Sequence, residues 1–331
     1  MGLNTENHTE AKAWKQFWTG RAAGSEHRFR DAGTAGRLQS HWSAVLADAL
    51  PASGQVDLID LACGEGEVLQ LAARVAGSLP DVRLNAVVSD VSLDAVSLAA
   101  ASVGQLDANA AVADCAQLPF ASSSFDVVVS QFGLEYAGPA AFGEAGRIVR
   151  PSGRFNALVH VAGGAVEHAC QADADVLEAV VGAELLDRMR DYVITIPKAV
   201  SGSVSREDGQ ACADALRQAL ETVARTVGPA APGPARDFVG RLVQDIQAAA
   251  GRLGAYRTED LEAWIAGQAA ELDAFHHRMT SMLRVAQTEA DMSALAGQLS
   301  AGGLSVTRVG TVSMGEGGAP LAWVLDARRA E

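Results

Sequence analysis

The sequence is poor in cysteine and aromatic residues, and it has no apolar run long enough to cross a membrane. Four cysteines occur among 331 residues: Cys63, Cys115, Cys170 and Cys212. None belongs to a CxxC pair or has a histidine at metal-binding spacing, so we expect no metal site. A transmembrane helix needs about 20 consecutive apolar residues. The sparse cysteines favour a reduced, cytoplasmic compartment.

Basic residues are also scarce. The 26 lysines and arginines are outnumbered by 40 aspartates and glutamates, so the net charge is −14. Such a field repels phosphate backbones and anionic lipid, so we expect neither nucleic acid nor a membrane as a partner. The opening residues MGLNTENHTEAK lack the apolar core of a signal peptide. The hydrophobic fraction of 49% is enough for a sizeable core in one large domain or two small ones.

An alternation of strand-like and helical segments begins at Val56. Apolar segments typical of strands cover 56–61, 83–89, 109–113, 125–130 and 154–161. Helical patterns cover 66–77, 92–103 and 139–149. The alternation predicts an α/β fold with a parallel sheet that is covered by helices on both faces. Before it, residues 1–55 have helical character with a break at 31–36.

The second half of the chain is mostly helical and ends in two strands. Residues 165–300 predict four or more helices, with breaks near 196–203, 228–234 and 251–257. Strand character returns at 304–314 and 320–328, on either side of a GEGGA connection. This pattern predicts a C-terminal antiparallel hairpin.

The stretch VDLIDLACGEGEVL, from Val56 to Leu69, carries the clearest chemical signal. A buried parallel strand would deliver the Asp60 carboxylate to the edge of the sheet, and the small residues Ala62 and Gly64 would let a ligand approach the backbone. The unpaired amides of the next helix would face that ligand. The spacing is AxGxG rather than GxGxxG, and no GxxxxGK motif is present. The usual pyrophosphate-binding motifs are therefore absent from this turn.

Two further carboxylates follow at the ends of neighbouring strands. Asp90, in VVSDVS, is placed to accept the hydroxyls of a ribose. Asp114, in VADCAQLPF, could accept a hydrogen bond from an exocyclic amine such as that of adenine. The alternatives are structural, since Asp60 and Asp114 could serve turns and Asp90 could cap the helix that follows it.

These motifs, together with FDVVVSQFGLEY and RIVRPSGRF, resemble those of the class I S-adenosylmethionine-dependent methyltransferases. The nearest subgroup is the small-molecule, type 11-like one, which includes quinone-biosynthesis and natural-product enzymes. The resemblance implies a Rossmann-like, doubly wound seven-stranded sheet that ends in the antiparallel hairpin. It also implies a methyltransferase domain at 56–164 and 286–331, an N-terminal helical lid at 1–55 and a helical cap insertion at 165–285.

The resemblance further implies S-adenosylmethionine as the cofactor. Asp60 and the turn residues Ala62, Cys63 and Gly64 would hold its methionine end. Asp90 would bind the ribose and Val91 would pack on the adenine. The remaining implied contacts are Asp114 and Cys115 at the adenine, and Gln131 and Phe132 along the methyl-transfer path. The family often has glycine where this chain has Ala62, and we expect the alanine to need only ordinary backbone angles.

Catalytic candidates are His160, Tyr136 and His276, which could serve as a base or touch the substrate. Each could equally be a structural residue. Glu135 could also contact the substrate. The aromatic residues Trp14, Phe17 and Trp18 are expected either to pack together or to cover the cofactor cleft.

The motifs thus predict methyl transfer to an oxygen, nitrogen or carbon of a small molecule, with the helical cap selecting that acceptor. The alternatives are a protein methyltransferase and a binding protein that keeps the cofactor without chemistry. The cap could instead pack only on itself or form a homodimer.

Overall fold

The computed structural model describes residues 14, 15, 17–19, 32–103, 108–315 and 317–331. They form two compact units. The first unit contains the described residues up to His168 together with Met282–Glu331, and the second is Ala169–Ser281. The roles of lid, catalytic domain and cap stay predictions.

Seven strands of the described chain form one sheet in the first unit. They are β1 (Gly54–Leu61), β2 (Val82–Asp90), β3 (Ala108–Val112), β4 (Phe125–Gln131), β5 (Val149–Val159), β6 (Leu304–Ser313) and β7 (Pro320–Arg329). Their order is β3-β2-β1-β4-β5-β7-β6. Strands β1 to β5 pair in parallel, and β7 is antiparallel to both β5 and β6. The predicted doubly wound fold and terminal hairpin are confirmed.

Helices cover both faces of this sheet. They are α1 (Ala32–Ala49), α2 (Glu67–Gly77), α3 (Leu93–Ser102), α4 (Pro139–Ile148) and α10 (Glu289–Ala301), with a 3₁₀ turn at Leu134–Ala137. Because successive strand residues point to opposite faces, Leu58 joins the core beneath α1, α2 and α3 while Ile59 joins the core beneath α4 and α10. The near-continuous apolar strands of the sequence reflect this double burial.

The predicted break at 31–36 is wrong for its described residues, because α1 begins at Ala32. Thr34, Leu38 and Trp42 recur at helical spacing on the buried face, with exposed fractions of 7%, 3% and 1%. The Thr34 hydroxyl also lies 3.5 Å from the sulfur of Met314. Burial of this face therefore outweighs the low helix propensity of Gly33 and Gly36.

The second unit and its connections are helical. The elements are α5 (Ala165–Gly182), α6 (Leu185–Val200), α7 (Arg206–Val227), α8 (Pro234–Gly251) and α9 (Thr258–Val285). The predicted break near 196–203 overlaps the observed one, which begins after Val200, because the helix α6 passes through Pro197. The chain turns just beyond it, at Gly202, whose φ is +79°. No helix among the residues described is long and apolar enough to span a membrane.

Candidate functional site

A cleft opens at the C-terminal edge of the sheet, beside the ends of β1, β2 and β4. Strand order reverses at β1, which is where open α/β sheets bind ligands. Including its solvent-open mouth, the cleft has a volume of about 900 Å³. Nine residues singled out from the sequence line it: Trp14, Trp18, Ala62, Asp90, Val91, Asp114, Cys115, Phe132 and Tyr136.

The turn after β1 has a left-handed backbone at several positions. Values of φ are +50° at Ala62, +52° at Gly64 and +78° at Gly66. The expectation that Ala62 needs only ordinary angles is therefore wrong, because alanine rarely adopts this region. A Cβ atom built on Gly133 would lie 2.2 Å from the Cβ of Ala62, so the methyl group of Ala62 occupies the space that a side chain at 133 would need.

Asp90 ties the glycine turn to the start of α3. Its carboxylate accepts the Gly64 N–H at 3.1 Å and the Ser92 N–H at 2.9 Å. The cap of α3 is Ser92, whose hydroxyl accepts the Ala95 N–H. Asp90 is 7% exposed yet lines the cleft, and burial raises its pKa despite these backbone hydrogen bonds. The carboxylate is thus held rigidly at the cleft wall.

Asp60 lies beneath the turn rather than in the cleft wall. It is 1% exposed and is hydrogen-bonded to the backbone of Leu69. Its Oδ2 atom has no hydrogen-bond partner among the residues described. Burial raises the pKa of Asp60 well above its usual value, and the nearby Asp90 and Glu67 raise it further. The site therefore favours a cationic or donor group beside this oxygen.

The adenine-side candidates show two kinds of environment. Val91 is 54% exposed and lines the cleft, so an apolar surface is available there. Asp114 is exposed, and one of its oxygens accepts the Ala116 N–H at 2.8 Å. It therefore serves a turn and still faces the cleft.

The two cysteines near the cleft are packing residues. Burial raises the pKa of the Cys115 thiol to about 12 and that of Cys63 well above its usual value. Both thiols are therefore neutral near pH 7, which makes them poor nucleophiles. No group of three or more potential metal ligands occurs within the described part of the chain.

Gln131 and Phe132 end β4 with different roles. The Gln131 side chain accepts the Trp42 indole N–H at 2.7 Å and donates to Glu67 at 3.2 Å, and it does not line the cleft. Phe132 does line the cleft, with φ at +56° and its N–H donated to the Leu158 carbonyl at 2.8 Å.

His160 lies behind the cleft wall. Its exposed fraction is 5%, and its ring packs against Phe132 at 4.4 Å and against Tyr136 at 5.9 Å between ring centroids. Its Nδ1 atom lies 2.7 Å from Glu135 Oε1. Tyr136, by contrast, reaches the cleft directly. His276 lies on α9 of the second unit, and its catalytic role stays a prediction.

The aromatic residues of the N-terminal segment cluster over the turn. Trp14 lies 6.4 Å from Trp18 and 5.4 Å from Tyr136 between ring centroids. A Cβ atom built on Gly64 would lie 2.8 Å from the Trp18 indole. Both tryptophans line the cleft, while Phe17 is 4% exposed and packs between them.

Three cleft residues escaped the sequence analysis: Ala113, Gly133 and Ala137. Their small side chains carry no chemical signal. Ala113 and Gly133 are immediate neighbours of Asp114 and Phe132, so position next to a strand end was the one available clue. Glu135, one of the residues that could contact the substrate, is buried, and one of its carboxylate oxygens lies against the His160 ring.

The residues present fit S-adenosylmethionine. The buried Asp90 carboxylate, which lines the cleft, suits paired hydroxyls. The exposed face of Val91 suits an apolar ring. A sulfonium ion is also compatible with a cleft that contains aromatic rings and carboxylates.

Comparison with known proteins agrees with this geometry. Residues 59–157 match the model of the methyltransferase domain family. The chain is 37% identical over 101 residues to a malonyl-[acyl-carrier protein] O-methyltransferase of Hahella chejuensis, a match that covers 30% of this chain and 34% of that protein. It is 35% identical over 129 residues to a ubiquinone/menaquinone biosynthesis C-methyltransferase of Dinoroseobacter shibae, which covers 37% of this chain and 50% of that protein.

The chain is also similar, at low identity, to solved methyltransferase structures. An S-adenosylmethionine-dependent methyltransferase of Mesorhizobium loti is 22% identical, with a TM-score of 0.30 and coverage of 36% of this chain and 53% of that one. Phosphoethanolamine N-methyltransferase 1 of Haemonchus contortus is 15% identical, with a TM-score of 0.35 and coverage of 46% and 32%.

The sheet order and the carboxylates near the ends of β1 and β2 agree with a class I methyltransferase domain. Residues 59–157 carry the match to the methyltransferase domain family. The predicted resemblance, the enzyme class and S-adenosylmethionine as cofactor are confirmed for this domain. The chain spans only a third to a half of the length of the two curated relatives, so the activity of the whole protein belongs to the proposal below.

Proposed function

We propose that this protein transfers a methyl group from S-adenosylmethionine to a small-molecule acceptor. The observation that carries the proposal is the Asp90 carboxylate at the end of β2, which lines the cleft and accepts the N–H of Gly64 within the matched domain. The names of the two curated relatives support acceptors at oxygen or carbon, such as a malonyl thioester or a quinone precursor.

The cofactor would lie along the cleft from β1 to β3. Asp60 lies beneath the turn that would hold the methionine end of the cofactor. Asp90 would face the ribose, Val91 and Cys115 would face the adenine, and Asp114 would point toward the adenine amine. Gly64 would contact the methionine end, and Cys63 would pack beneath it. When bound, the cofactor supplies an activated methyl group that needs no metal.

Phe132 and Tyr136 are proposed to line the path of the acceptor. Transfer is an in-line displacement, so the protein contributes mainly by orienting the acceptor and excluding water. Orientation of this kind can contribute roughly 7–11 kcal/mol. A base is needed only where the acceptor must lose a proton, and Tyr136 is the candidate that reaches the cleft.

The helices of the second unit are proposed to select the acceptor. They are rich in alanine, leucine and valine and carry no recognisable motif, and His276 on α9 is the candidate contact. His276→Ala is expected to change the range of acceptors while the Kd for S-adenosylmethionine stays within about twofold. Cytoplasmic location and a homodimer stay predictions from the sequence.

The test is transfer of a radiolabelled methyl group to a panel of phenols, quinols and malonyl thioesters. We expect label in an extractable small-molecule product, and loss of that label in Asp90→Ala. Asp81→Ala, at an exposed residue just before β2, is the matched control. Label in macromolecules would favour a protein methyltransferase, and cofactor binding without transfer to any acceptor would favour a binding protein.

A further inference from the structure

Glu135 and His160 form a buried pair that joins the exits of β4 and β5. Glu135 belongs to the 3₁₀ turn after β4, and His160 directly follows β5. Glu135 Oε1 lies 2.7 Å from His160 Nδ1 and accepts the backbone N–H of His160 at 3.0 Å. The exposed fractions of the two side chains are 1% and 6%. One carboxylate oxygen thus holds both the backbone and the ring of His160.

This arrangement selects one form of the imidazole ring. Because Oε1 also accepts the backbone N–H, it acts as an acceptor toward the ring. Nδ1 must therefore carry the proton that it donates, which leaves Nε2 as the lone-pair nitrogen of the neutral ring. A carboxylate that fixes the orientation of a histidine in this way is a common supporting device at functional sites.

The held ring supports two walls of the cleft. The rings of Phe132 and His160 have centroids 4.4 Å apart and planes inclined at 34°. The rings of Tyr136 and His160 meet edge to face, with centroids 5.9 Å apart and an interplanar angle of 90°. Both residues line the cleft, whereas His160 does not. Phe132 also has a left-handed backbone, which a side chain adopts only when its surroundings hold it there. The titratable groups that pack on the His160 ring in these contacts are Glu135 and Tyr136.

We propose that Glu135 is a positioning residue for methyl transfer, which acts by holding His160 so that Phe132 and Tyr136 form rigid walls on the acceptor side of the cleft. This inference rests on the proposed function. It assigns Glu135 no contact with the cofactor or the acceptor. The inference gives a role to the buried Glu135 carboxylate, whose other oxygen, Oε2, has no hydrogen-bond partner among the described residues.

The first test is the tautomer of His160, measured by ¹⁵N NMR on the full chain, with His160→Gln used to assign its signals. We expect the wild-type ring to carry its proton on Nδ1. A ring protonated on Nε2 alone would overturn the inference without any variant at Glu135. Because this measurement needs neither cofactor nor acceptor, its outcome is separate from that of the methyl-transfer assay.

The second test compares Glu135→Gln with Glu135→Ala. The amide oxygen of glutamine can accept the same two N–H groups, so we expect Glu135→Gln to keep the Nδ1–H tautomer and most of the turnover. Glu135→Ala should lower kcat about 10–100-fold on the best acceptor of the panel, with less than a threefold change in the Kd for S-adenosylmethionine. Glu289→Ala, at an exposed residue in the first turn of α10, is the control.

Two outcomes contradict the inference in this comparison. Turnover by Glu135→Ala at the wild-type rate would remove any positioning role. An equal loss of turnover in Glu135→Gln and Glu135→Ala, while the glutamine variant keeps the Nδ1–H tautomer of His160, would assign the effect to the charge of Glu135 instead. If Glu135→Ala does not fold, His160→Asn replaces it in the test. The asparagine keeps a hydrogen-bond donor for Glu135 but removes the ring, so this variant must lower kcat by the same factor.

Discussion

The methyl group of Ala62 and the bare α-carbon of Gly133 fit together across the end of the sheet. A Cβ atom on Gly133 would lie 2.2 Å from that of Ala62, closer than any two side-chain carbons can approach. Gly133 itself has φ at −142°, so an alanine there would meet no backbone strain. The need for glycine at 133 therefore comes from the alanine at 62.

Gly133→Ala should destabilise the protein by roughly 1–3 kcal/mol, because the added methyl group overpacks this contact. Ala62→Gly removes the clashing atom and relieves a left-handed alanine, so the double variant should recover most of the loss. Denaturant unfolding of all four proteins gives the coupling energy. Gly297→Ala, on the exposed side of α10 where a Cβ meets nothing within 4 Å, is the control. Additive effects of the two changes would contradict this reading.

Asp60 should make stability depend on pH. Burial raises its pKa well above the ordinary value, with Asp90 and Glu67 adding to the shift. Between the two pKa values, the folded state holds a proton that the unfolded state has released. The contribution of Asp60 to the free energy of unfolding is therefore complete below the unfolded pKa and is lost as pH rises through the folded pKa. The free energy of unfolding of the cofactor-free protein should therefore fall as pH rises above about 4.

Asp60→Asn should reduce the decrease in the free energy of unfolding with rising pH, as measured by denaturant unfolding from pH 4 to 9. Asp291→Asn is a useful contrast, because hydrogen bonds from Thr288 lower the pKa of Asp291. Its contribution is present above the unfolded pKa and disappears only as pH falls through the folded pKa. Its removal should therefore lower stability by a constant amount in the upper pH range and leave the slope there unchanged. An equally steep fall in Asp60→Asn would assign the effect to other groups.

Gln131 should matter for stability through Trp42. The indole is 1% exposed, and its N–H reaches the Gln131 carbonyl at 2.7 Å. Gln131→Ala leaves that donor buried without this acceptor, which should cost about 1–3 kcal/mol in chemical denaturation. Gln117→Ala, at an exposed residue of the loop after β3, should change stability by less than about 0.5 kcal/mol. A neutral effect of Gln131→Ala would show that the indole finds another acceptor.

Trp18 should report on cofactor binding. Its indole lies against Gly64 and lines the cleft, so a ligand beside the turn must change its surroundings. We expect titration with S-adenosylmethionine to alter tryptophan fluorescence, and Trp18→Phe to remove most of that change. Trp264→Phe, on α9 of the second unit, is the matched control. A full signal in Trp18→Phe would place the ligand away from this indole.

Features that depend on local pattern were predictable from the sequence. The apolar segments of the doubly buried strands predicted the βαβ order. The carboxylates at strand ends predicted which edge of the sheet carries the cleft, and Asp90 does line that cleft. The predicted helical breaks after α7 and α8 coincide with the turns that precede Pro234 and Thr258.

Features that depend on long-range contact were not predictable. Nothing local marks Ala62 as left-handed, because that angle is imposed by the turn and by the space at Gly133. Glu135 and His160 are 25 residues apart, and pairing requires β4 and β5 to be neighbours. The start of α1 at Ala32 likewise follows from burial against the sheet rather than from helix propensity.

The central claim is that the cleft binds S-adenosylmethionine through Asp90, and isothermal titration calorimetry of the full chain tests it most directly. Removal of a buried, hydrogen-bonded carboxylate that accepts hydroxyl donors costs about 1.5–3 kcal/mol, or roughly 10–100-fold in Kd. We predict binding by the wild type and by Asp81→Ala, with Asp90→Ala weakened by that factor while it stays folded. Absence of binding by the wild type, or equal affinity in Asp90→Ala, would contradict the account.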